Sequence, residues 1–136
     1  MRDRAEAPVL FVADDDLPTL ELLREVARES GWTSVGFTRL GPLRVALDSW
    51  RPTLLIVDDD LPDGRGGDLA RDLRSDPRLE GLPLLVCTAA TPKRQAEIGT
   101  WAPVVSKPFE VGEIEELLAA AVRRDGDGDA YGRSAG

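Results

Sequence analysis

Two runs of consecutive aspartates each follow a short apolar stretch of the sequence. Asp14–Asp16 come directly after Val9–Ala13, and Asp58–Asp60 come directly after Leu54–Val57. Carboxylates gathered in a partly dehydrated cleft repel one another, and a divalent cation allows all of them to stay ionised. Oxygen ligands alone favour Mg²⁺ or Mn²⁺, and Mg²⁺ keeps waters that leave room for a phosphoryl group. A single aspartate at a strand end often only caps a helix or lies in a turn, but two triplets at matching positions indicate a metal site.

Complementary polar groups follow two later apolar runs. Thr88 and Ala89 end one of them, and Lys107 comes shortly after another. A phosphorylated aspartate needs a cation to neutralise its added charge, a hydroxyl and a backbone N–H to bind phosphoryl oxygens, and a small neighbour that admits the donor. Lys107, Thr88 and Ala89 can supply these groups, so the set favours phosphoryl chemistry on an aspartate.

Five short apolar runs, each bounded by turn signals, are typical of strands buried on both faces. They are Val9–Ala13, Val35–Phe37, Leu54–Val57, Leu84–Thr88 and Val104–Val105. Helical segments separate them, and this alternation predicts an α/β fold with a doubly wound parallel sheet, strand order 2-1-3-4-5 and helices on both faces. In such sheets the reactive site lies beyond the carboxyl ends of the strands, near the switch between the first and the third.

Each helical segment is expected to bury one apolar stripe against the sheet. The stripes are Leu17, Leu20, Leu23 and Ala27; Leu43, Ala46, Leu47 and Trp50; Leu69 and Leu73; and Ile114, Leu117, Leu118 and Ala121. The fourth helix is expected to be short, because Thr91 and Pro92 can begin it and Gly99 follows soon after. We expect an N-terminal tail at 1–7, one domain at 8–124 and a flexible tail at 125–136, which is rich in Gly and Asp.

Composition excludes several classes of function. Seventeen Lys and Arg against 25 Asp and Glu give a formal charge of -8, which disfavours direct contact with nucleic acid. The absence of histidine excludes serine–histidine and cysteine–histidine catalysis and histidine metal ligands on this chain. The single cysteine, Cys87, is expected to be a small buried side chain. The first apolar run is too short for a signal peptide or a membrane span, so we expect a cytoplasmic protein.

Four short motifs resemble those of the response-regulator receiver family. They are Asp14-Asp15, Asp58 with Pro62 four residues later, Thr88-Ala89 and Lys107-Pro108-Phe109. The resemblance covers about 8–124 and implies a flavodoxin-like fold and a place in a two-component signalling system. It implies that Asp58 accepts a phosphoryl group from a sensor histidine kinase or a histidine phosphotransfer protein, and that a surface near the fourth and fifth strands then changes its affinity for a downstream protein. Beyond self-catalysed transfer and autodephosphorylation, it implies no enzyme activity.

The resemblance also assigns roles to individual residues. Asp58 is the nucleophile, and Asp15, Asp58 and the backbone carbonyl of Asp60 ligate Mg²⁺ directly, whereas Asp14 acts mainly through water. Lys107 pairs with the acceptor carboxylate and then with the phosphoryl group. The Lys107–Pro108 peptide bond is expected to be cis, which proline makes inexpensive. The Asp60 side chain is expected to affect the lifetime of the phosphoryl group.

Three features depart from the family pattern. Thr88 and Lys107 stand 19 positions apart, fewer than is usual, so the surface around the fourth helix should be remodelled. Val104 occupies the position of the usual aromatic switch residue, and Trp101, which lies three residues earlier, is expected to serve in packing more than as a substitute switch. Arg65 stands in the turn where an acidic residue is frequent. These departures bear on signalling more than on phosphorylation.

Two other functions remain open at the level of sequence. One is a constitutive binding module that keeps the acidic pocket and binds its partner without phosphorylation. The other is a Mg²⁺-dependent hydrolase of the haloacid dehalogenase kind, suggested by Asp58 and Asp60, although such enzymes normally carry this motif on the first strand. The chain is expected to be either a stand-alone receiver or a piece of a larger regulator or hybrid kinase, and a homodimer through the fourth-helix face is an allowed assembly.

Overall fold

The five predicted strands form one parallel sheet in the order 2-1-3-4-5, so the predicted fold class is confirmed. The computed structural model describes the backbone of residues 6–135 and the side chains of residues 6–124. The strands are β1 (Val9–Ala13), β2 (Thr33–Phe37), β3 (Leu54–Val57), β4 (Leu84–Thr88) and β5 (Val104–Ser106). Because all pairings are parallel, the carboxyl ends of all five strands meet at one edge.

The connecting helices also occur where the apolar periods predict them. They are α1 (Leu17–Glu29), α2 (Leu40–Ser49), α3 (Gly66–Arg74), α4 (Pro92–Ile98) and α5 (Val111–Ala135). The fourth has seven residues, so its predicted shortness is confirmed. A single 3₁₀ turn at Pro77–Leu79 was not predicted, and it follows from Asp76, whose side chain accepts a hydrogen bond from the N–H of Arg78.

Two apolar cores lie on opposite faces of the sheet. Along β1, Leu10 and Val12 face the core under α1 and α5, whereas Phe11 and Ala13 face the core under α2, α3 and α4. This alternation is the period of two that a strand imposes on its side chains. Full burial of each large side chain contributes roughly 1.5–3 kcal/mol, so the sheet is fixed from both sides. Cys87 is buried in the first core, as expected.

Three predicted core positions are exposed. Val35 is 44% exposed because β2 is an edge strand with a partner on one side only. Trp50 is 69% exposed because α2 ends at Ser49 and Trp50 has extended backbone. Leu17 is 60% exposed because it is the first residue of α1, where the helix has not yet turned toward the sheet.

The side chains of two aspartates and a threonine cap the N-termini of three helices. Asp16 caps α1 by accepting a hydrogen bond from the N–H of Thr19, and Thr91 caps α4 in the same way. The residue before α2 provides no side-chain cap. Asp63, from the loop after β3, accepts hydrogen bonds from the N–H groups of Leu40 and Gly41 at 2.7 and 2.8 Å. The loop after β3 is thereby attached to α2.

The chain termini are only partly described. Of the predicted N-terminal tail, 1–7, residues 1–5 lie outside the described residues. The helix α5 runs to Ala135, while the side chains of 125–136 lie outside the described residues, so the flexible tail stays a prediction. Within 6–135, no helix has both the length and the apolar composition needed to cross a membrane.

Candidate functional site

An open cavity of about 510 Å³ lies at the carboxyl edge of the sheet, where the site was predicted. Its walls come from the loops after β3, β4 and β5 and from α4. The lining residues are Asp58, Asp59, Asp60, Arg65, Thr88, Ala89, Ala90, Thr91, Arg94 and Lys107. Both aspartate runs and both later polar segments therefore reach the same edge, because parallel strands end there together.

Three carboxylates from two strands converge beside this cavity. Asp14, Asp15 and Asp58 each offer one oxygen, and these oxygens lie within 4.8 Å of one another. Asp14 and Asp58 are buried, whereas Asp15 is exposed, so the cluster is open to solvent on one side. A donor set of oxygens alone with an open side fits a hard divalent cation that completes its shell with water. The residues present thus suit the predicted metal.

The ammonium group of Lys107 lies between the two buried carboxylates. Its Nζ is 2.7 Å from Oδ2 of Asp14 and 3.5 Å from Oδ2 of Asp58, so it is closer to Asp14 than to the predicted acceptor. Burial would lower the pKa of Lys107, but the hydrogen bond and the charge interaction with Asp14 outweigh burial and raise it. The Lys107–Pro108 peptide bond is cis, as predicted.

Asp58 has an unusually high pKa for an aspartate. Burial raises its pKa to about 6, and the adjacent Asp14 adds to the rise, while Lys107 and the N–H of Asp60 partly oppose it. One lysine therefore does not compensate two buried carboxylates. A further cation would lower the free energy of this cluster, because it would neutralise the excess negative charge.

The loop after β4 presents the predicted hydroxyl and small residue. The Thr88 side chain is buried, and its Oγ1 accepts a hydrogen bond from the N–H of Ala90 at 3.1 Å. Because that oxygen serves as acceptor, its proton is available for donation. Ala89 is exposed and leaves the cavity open. Gln95 holds the loop from α4, since its Nε2 donates to the carbonyl of Ala90 at 2.8 Å.

Three members of the aspartate triplets lie outside the carboxylate cluster. Asp16 is a helix cap, as described above. Asp59 points to the α3 and α4 side, where it pairs with Arg94 and accepts a hydrogen bond from the N–H of Gly67. Asp60 is exposed on the cavity wall, and the metal role of its backbone carbonyl stays a prediction. Asp58–Asp60 lie beyond the end of β3, and Asp59 points away from the cluster that Asp58 joins.

The roles of Arg94, Gly66 and Gly67 were not predicted from the sequence. Arg94 is distant in sequence from the aspartate that it binds, so no local pattern reveals the pair. Gly66 and Gly67 are required for close approach rather than for turn conformation. A Cβ on Gly66 would lie 2.2 Å from the carbonyl oxygen of Asp58, and one on Gly67 would lie 2.7 Å from Cγ1 of Ile98. The adjacent glycines before a helical stripe were the available signal.

The departures from the family pattern lie at α4, in β5 and just before α3. Val104 and Trp101 are partly buried and pack against the core under α2, α3 and α4. Two guanidinium groups lie over the Trp101 ring, with Arg71 at 5.5 Å and Arg94 at 5.9 Å from its centroid. Arg65 is exposed on the cavity wall, immediately before α3. The packing role expected for Trp101 agrees with these contacts.

The known proteins that the chain resembles include response regulators and a receiver protein. No family model matched the chain. The probable transcriptional regulatory protein TcrX of Mycobacterium tuberculosis is 32% identical over 130 residues, which are 93% of this chain and 55% of that protein. The DNA-binding response regulator MtrA of Mycolicibacterium smegmatis is 31% identical over 121 residues, 87% of this chain and 52% of that protein. A response regulator receiver protein from Pseudomonas putida has a solved structure that matches with 26% identity and a TM-score of 0.75, over 85% of this chain and 98% of its own.

These relatives, together with the sheet order and the acidic pocket, define the class of protein as a CheY-like receiver domain. The chain is a receiver domain, and it is similar in sequence to the response regulators of two-component systems. It spans about half the length of the curated relatives it matches.

Proposed function

We propose that Asp58 accepts a phosphoryl group from a sensor histidine kinase or a histidine phosphotransfer protein, with Mg²⁺ or Mn²⁺ bound at Asp14, Asp15, Asp58 and the backbone carbonyl of Asp60. The observation that carries this proposal is the set of three converging carboxylate oxygens with one lysine between the two buried ones. Three carboxylates and one ammonium leave two negative charges uncompensated, which a divalent cation would neutralise. The same cation would then stabilise the negative charge of a phosphoryl group on Asp58.

The residues of the pocket divide the work of transfer among them. An oxygen of Asp58 attacks phosphorus, the bond between phosphorus and the donor breaks, and the donor leaves with its electron pair and a proton from solvent. A divalent cation held by Asp14, Asp15 and Asp58 would neutralise charge on the phosphoryl oxygens. The Nζ of Lys107 lies 3.5 Å from Oδ2 of Asp58 and can form an ion pair with the phosphoryl group after transfer. The Thr88 hydroxyl and the N–H of Ala89 donate hydrogen bonds to phosphoryl oxygens.

The same proposal covers partners and location. The phosphorylated form changes its affinity for a downstream protein, without direct contact between this domain and nucleic acid or a membrane, and it acts in the cytoplasm. The formal charge of -8 disfavours direct contact with nucleic acid. The DNA binding named for the relative MtrA is that of a protein about twice as long as the matched region. Its reactions are limited to self-catalysed transfer and autodephosphorylation, and a homodimer through the α4 face is the assembly to test.

Phosphoryl incorporation from acetyl phosphate, measured by intact mass, tests this function. We expect the wild type to gain one phosphoryl group with Mg²⁺ and none with a chelator, and Asp58→Asn to gain none. Asp63→Asn is the matched control, because Asp63 lies in the same loop but caps α2, and it should still incorporate phosphoryl. A folded wild type that gains no phosphoryl group would refute the proposal and favour a constitutive binding module.

A further inference from the structure

A nearly buried ion pair lies beside the acceptor on the opposite side from the acidic cluster. Nε of Arg94 donates to Oδ2 of Asp59 at 3.0 Å, and Nη2 donates to Oδ1 at 2.9 Å. The two side chains are 11% and 6% exposed. Two parallel hydrogen bonds between a guanidinium and a carboxylate fix both distance and orientation. The pair is thus a rigid connection and differs from an exposed surface contact.

This connection joins the two segments that must meet for phosphoryl transfer. Asp59 follows Asp58 directly in the sequence, so a contact that fixes Asp59 also restrains the backbone of the acceptor. Arg94 lies in α4, directly after the loop 88–91 that carries Thr88 and Ala89. Both members of the pair also line the cavity. The pair therefore connects the segment after β3 with α4 beside the cavity.

Further hydrogen bonds hold both members of this pair. Oδ1 of Asp59 also accepts a hydrogen bond from the N–H of Gly67 at 3.0 Å, so both of its oxygens have partners. Asp68 also accepts a hydrogen bond from Nη2 of Arg94 at 3.1 Å, and Glu97 binds Nη1. Since only glycine leaves room here, as the contacts of Gly67 show, the local backbone is shaped around the pair.

We propose that Arg94 is a positioning residue for phosphoryl transfer, which holds the loop 88–91 against the acceptor strand through its bidentate pair with Asp59. This inference rests on the proposed function of Asp58. Arg94 acts through Asp59 and the loop and has no assigned contact with the phosphoryl group. Loss of the pair should therefore lower the maximal rate of transfer, while the donor concentration at half-maximal rate changes little.

Arg71 provides a matched control on the same surface. Its guanidinium lies over the same Trp101 ring as that of Arg94, and it also approaches Asp68, at 3.9 Å. It is more exposed, and the carboxylates that it approaches are Asp68 and Asp72. Arg71→Gln thus removes a comparable charge and the same kind of aromatic contact while it leaves the pair with Asp59 intact.

The experiment measures Mg²⁺-dependent phosphorylation by acetyl phosphate as a time course of intact mass, over a range of donor concentrations. We expect Arg94→Gln to lower the maximal rate by about tenfold or more, because misplacement by an ångström costs up to about a hundredfold. Arg71→Gln should stay within about twofold of wild type. Arg94→Lys should restore part of the rate, since it keeps the charge but loses the bidentate geometry.

A double-mutant cycle separates positioning from general destabilisation. Asp59→Asn alone should slow transfer about as much as Arg94→Gln, and the double variant should be no slower than either, because all three lack the same ion pair. The double variant carries no unpaired buried charge from this pair, so it stays measurable if Arg94→Gln fails to fold. Circular dichroism confirms that each variant is folded at the assay temperature.

The outcomes of this experiment are distinct. Equal rates for Arg94→Gln and Arg71→Gln, additive effects in the cycle, or a change confined to the half-maximal donor concentration would each overturn the positioning role while Asp58 remains the acceptor. A wild type that gains no phosphoryl group would overturn the proposed function and this inference with it.

Discussion

Asp58 and Asp59 are adjacent in sequence and both are buried, yet their environments are opposite. Asp58 shares one lysine with Asp14, and its pKa rises to about 6. Asp59 has a bidentate arginine and a backbone N–H, and its pKa falls below the ordinary value. Two carboxylates one residue apart thus differ in how completely their charge is compensated.

The difference separates a reactive carboxylate from a structural one. Excess negative charge around Asp58 makes the cluster receptive to cations and to a group that they stabilise. The charge of Asp59 is neutralised by Arg94, so Asp59 does not attract a further cation. The ion pair instead connects α4 with the segment that follows β3. Both aspartates directly follow β3, and their side chains reach different partners, Lys107 for Asp58 and Arg94 for Asp59.

The largest expected change in the free energy of unfolding comes from removing the arginine that neutralises Asp59. Arg94→Met should reduce the free energy of unfolding by about 3 kcal/mol, because it leaves Asp59 as a buried carboxylate with one backbone partner. Urea unfolding at pH 7.5 followed by circular dichroism measures this. Arg71→Met should cost less than about 0.5 kcal/mol, as is usual for an exposed pair. Equal losses in the two variants would mean that the Asp59 pair contributes no more than a surface contact.

Neutralising each aspartate in turn should change stability in opposite directions. With a chelator present at pH 7.5, Asp58→Asn should raise the free energy of unfolding by about 1–2 kcal/mol, because it removes an uncompensated buried charge. Asp59→Asn should lower the free energy of unfolding by about 1–3 kcal/mol, because it weakens charged hydrogen bonds to Arg94. Urea unfolding of the two variants beside wild type decides whether the signs differ.

The pH dependence of the Asp58→Asn gain follows from the direction of the shift. The folded-state pKa of Asp58, about 6, lies above the ordinary value of 3.8. The wild type therefore gains stability from protonation as pH falls from about 6 toward 3.8, and it loses that stability as pH rises again. The advantage of Asp58→Asn should be full above pH 6 and absent below pH 3.8. An advantage that persists at pH 3.5 would have a cause other than charge.

Much of the fold follows from local pattern, and this part was predictable. Alternating apolar runs and helical periods require parallel pairing, and the order 2-1-3-4-5 then places both aspartate runs at one edge. The errors concern the limits of elements, where periodicity is weakest. Leu17 and Trp50 lie at the beginning and just beyond the end of their helices, and Val35 lies on an edge strand, so each continues the apolar pattern but is exposed.

The site was predictable to the extent that it uses matching strand ends. Asp14, Asp15, Asp58, Thr88 and Lys107 lie where the sheet order requires. The pair of Asp59 with Arg94 spans 35 positions and depends on the exact distance between two loops. A Cβ on Gly66 would meet the backbone of Asp58, and one on Gly67 would meet Ile98 and Arg94, and these close approaches appear only in three dimensions. Sequence therefore indicates the reactive residues better than the residues that position them.

Metal affinity should depend on pH at the uncompensated aspartate. Because Mg²⁺ binds the ionised carboxylate and the pKa of Asp58 without metal is about 6, the dissociation constant should rise about tenfold per pH unit below 6 and level off above 7. Isothermal titration calorimetry from pH 5 to 8 measures this. Asp59→Asn should keep the same pH profile, and Asp58→Asn should lose the steep part. A flat profile for the wild type would contradict the high pKa.

The smallest expected effect concerns the third environment of the same acidic loop. Asp63 accepts hydrogen bonds from two N–H groups at the start of α2, and these lower its pKa. Nε of Arg39 lies 3.8 Å from Oδ2 of Asp63. Its ionised form contributes stability that is present above the ordinary pKa and is lost as pH falls through the lowered one. Asp63→Asn should therefore lower the urea midpoint at pH 7.5 by less than Asp59→Asn does, because Asp63 remains near solvent and an amide oxygen can still cap the helix. Its rate of phosphorylation should equal that of wild type, and a slower rate would mean that the attachment of this loop to α2 also positions Asp58.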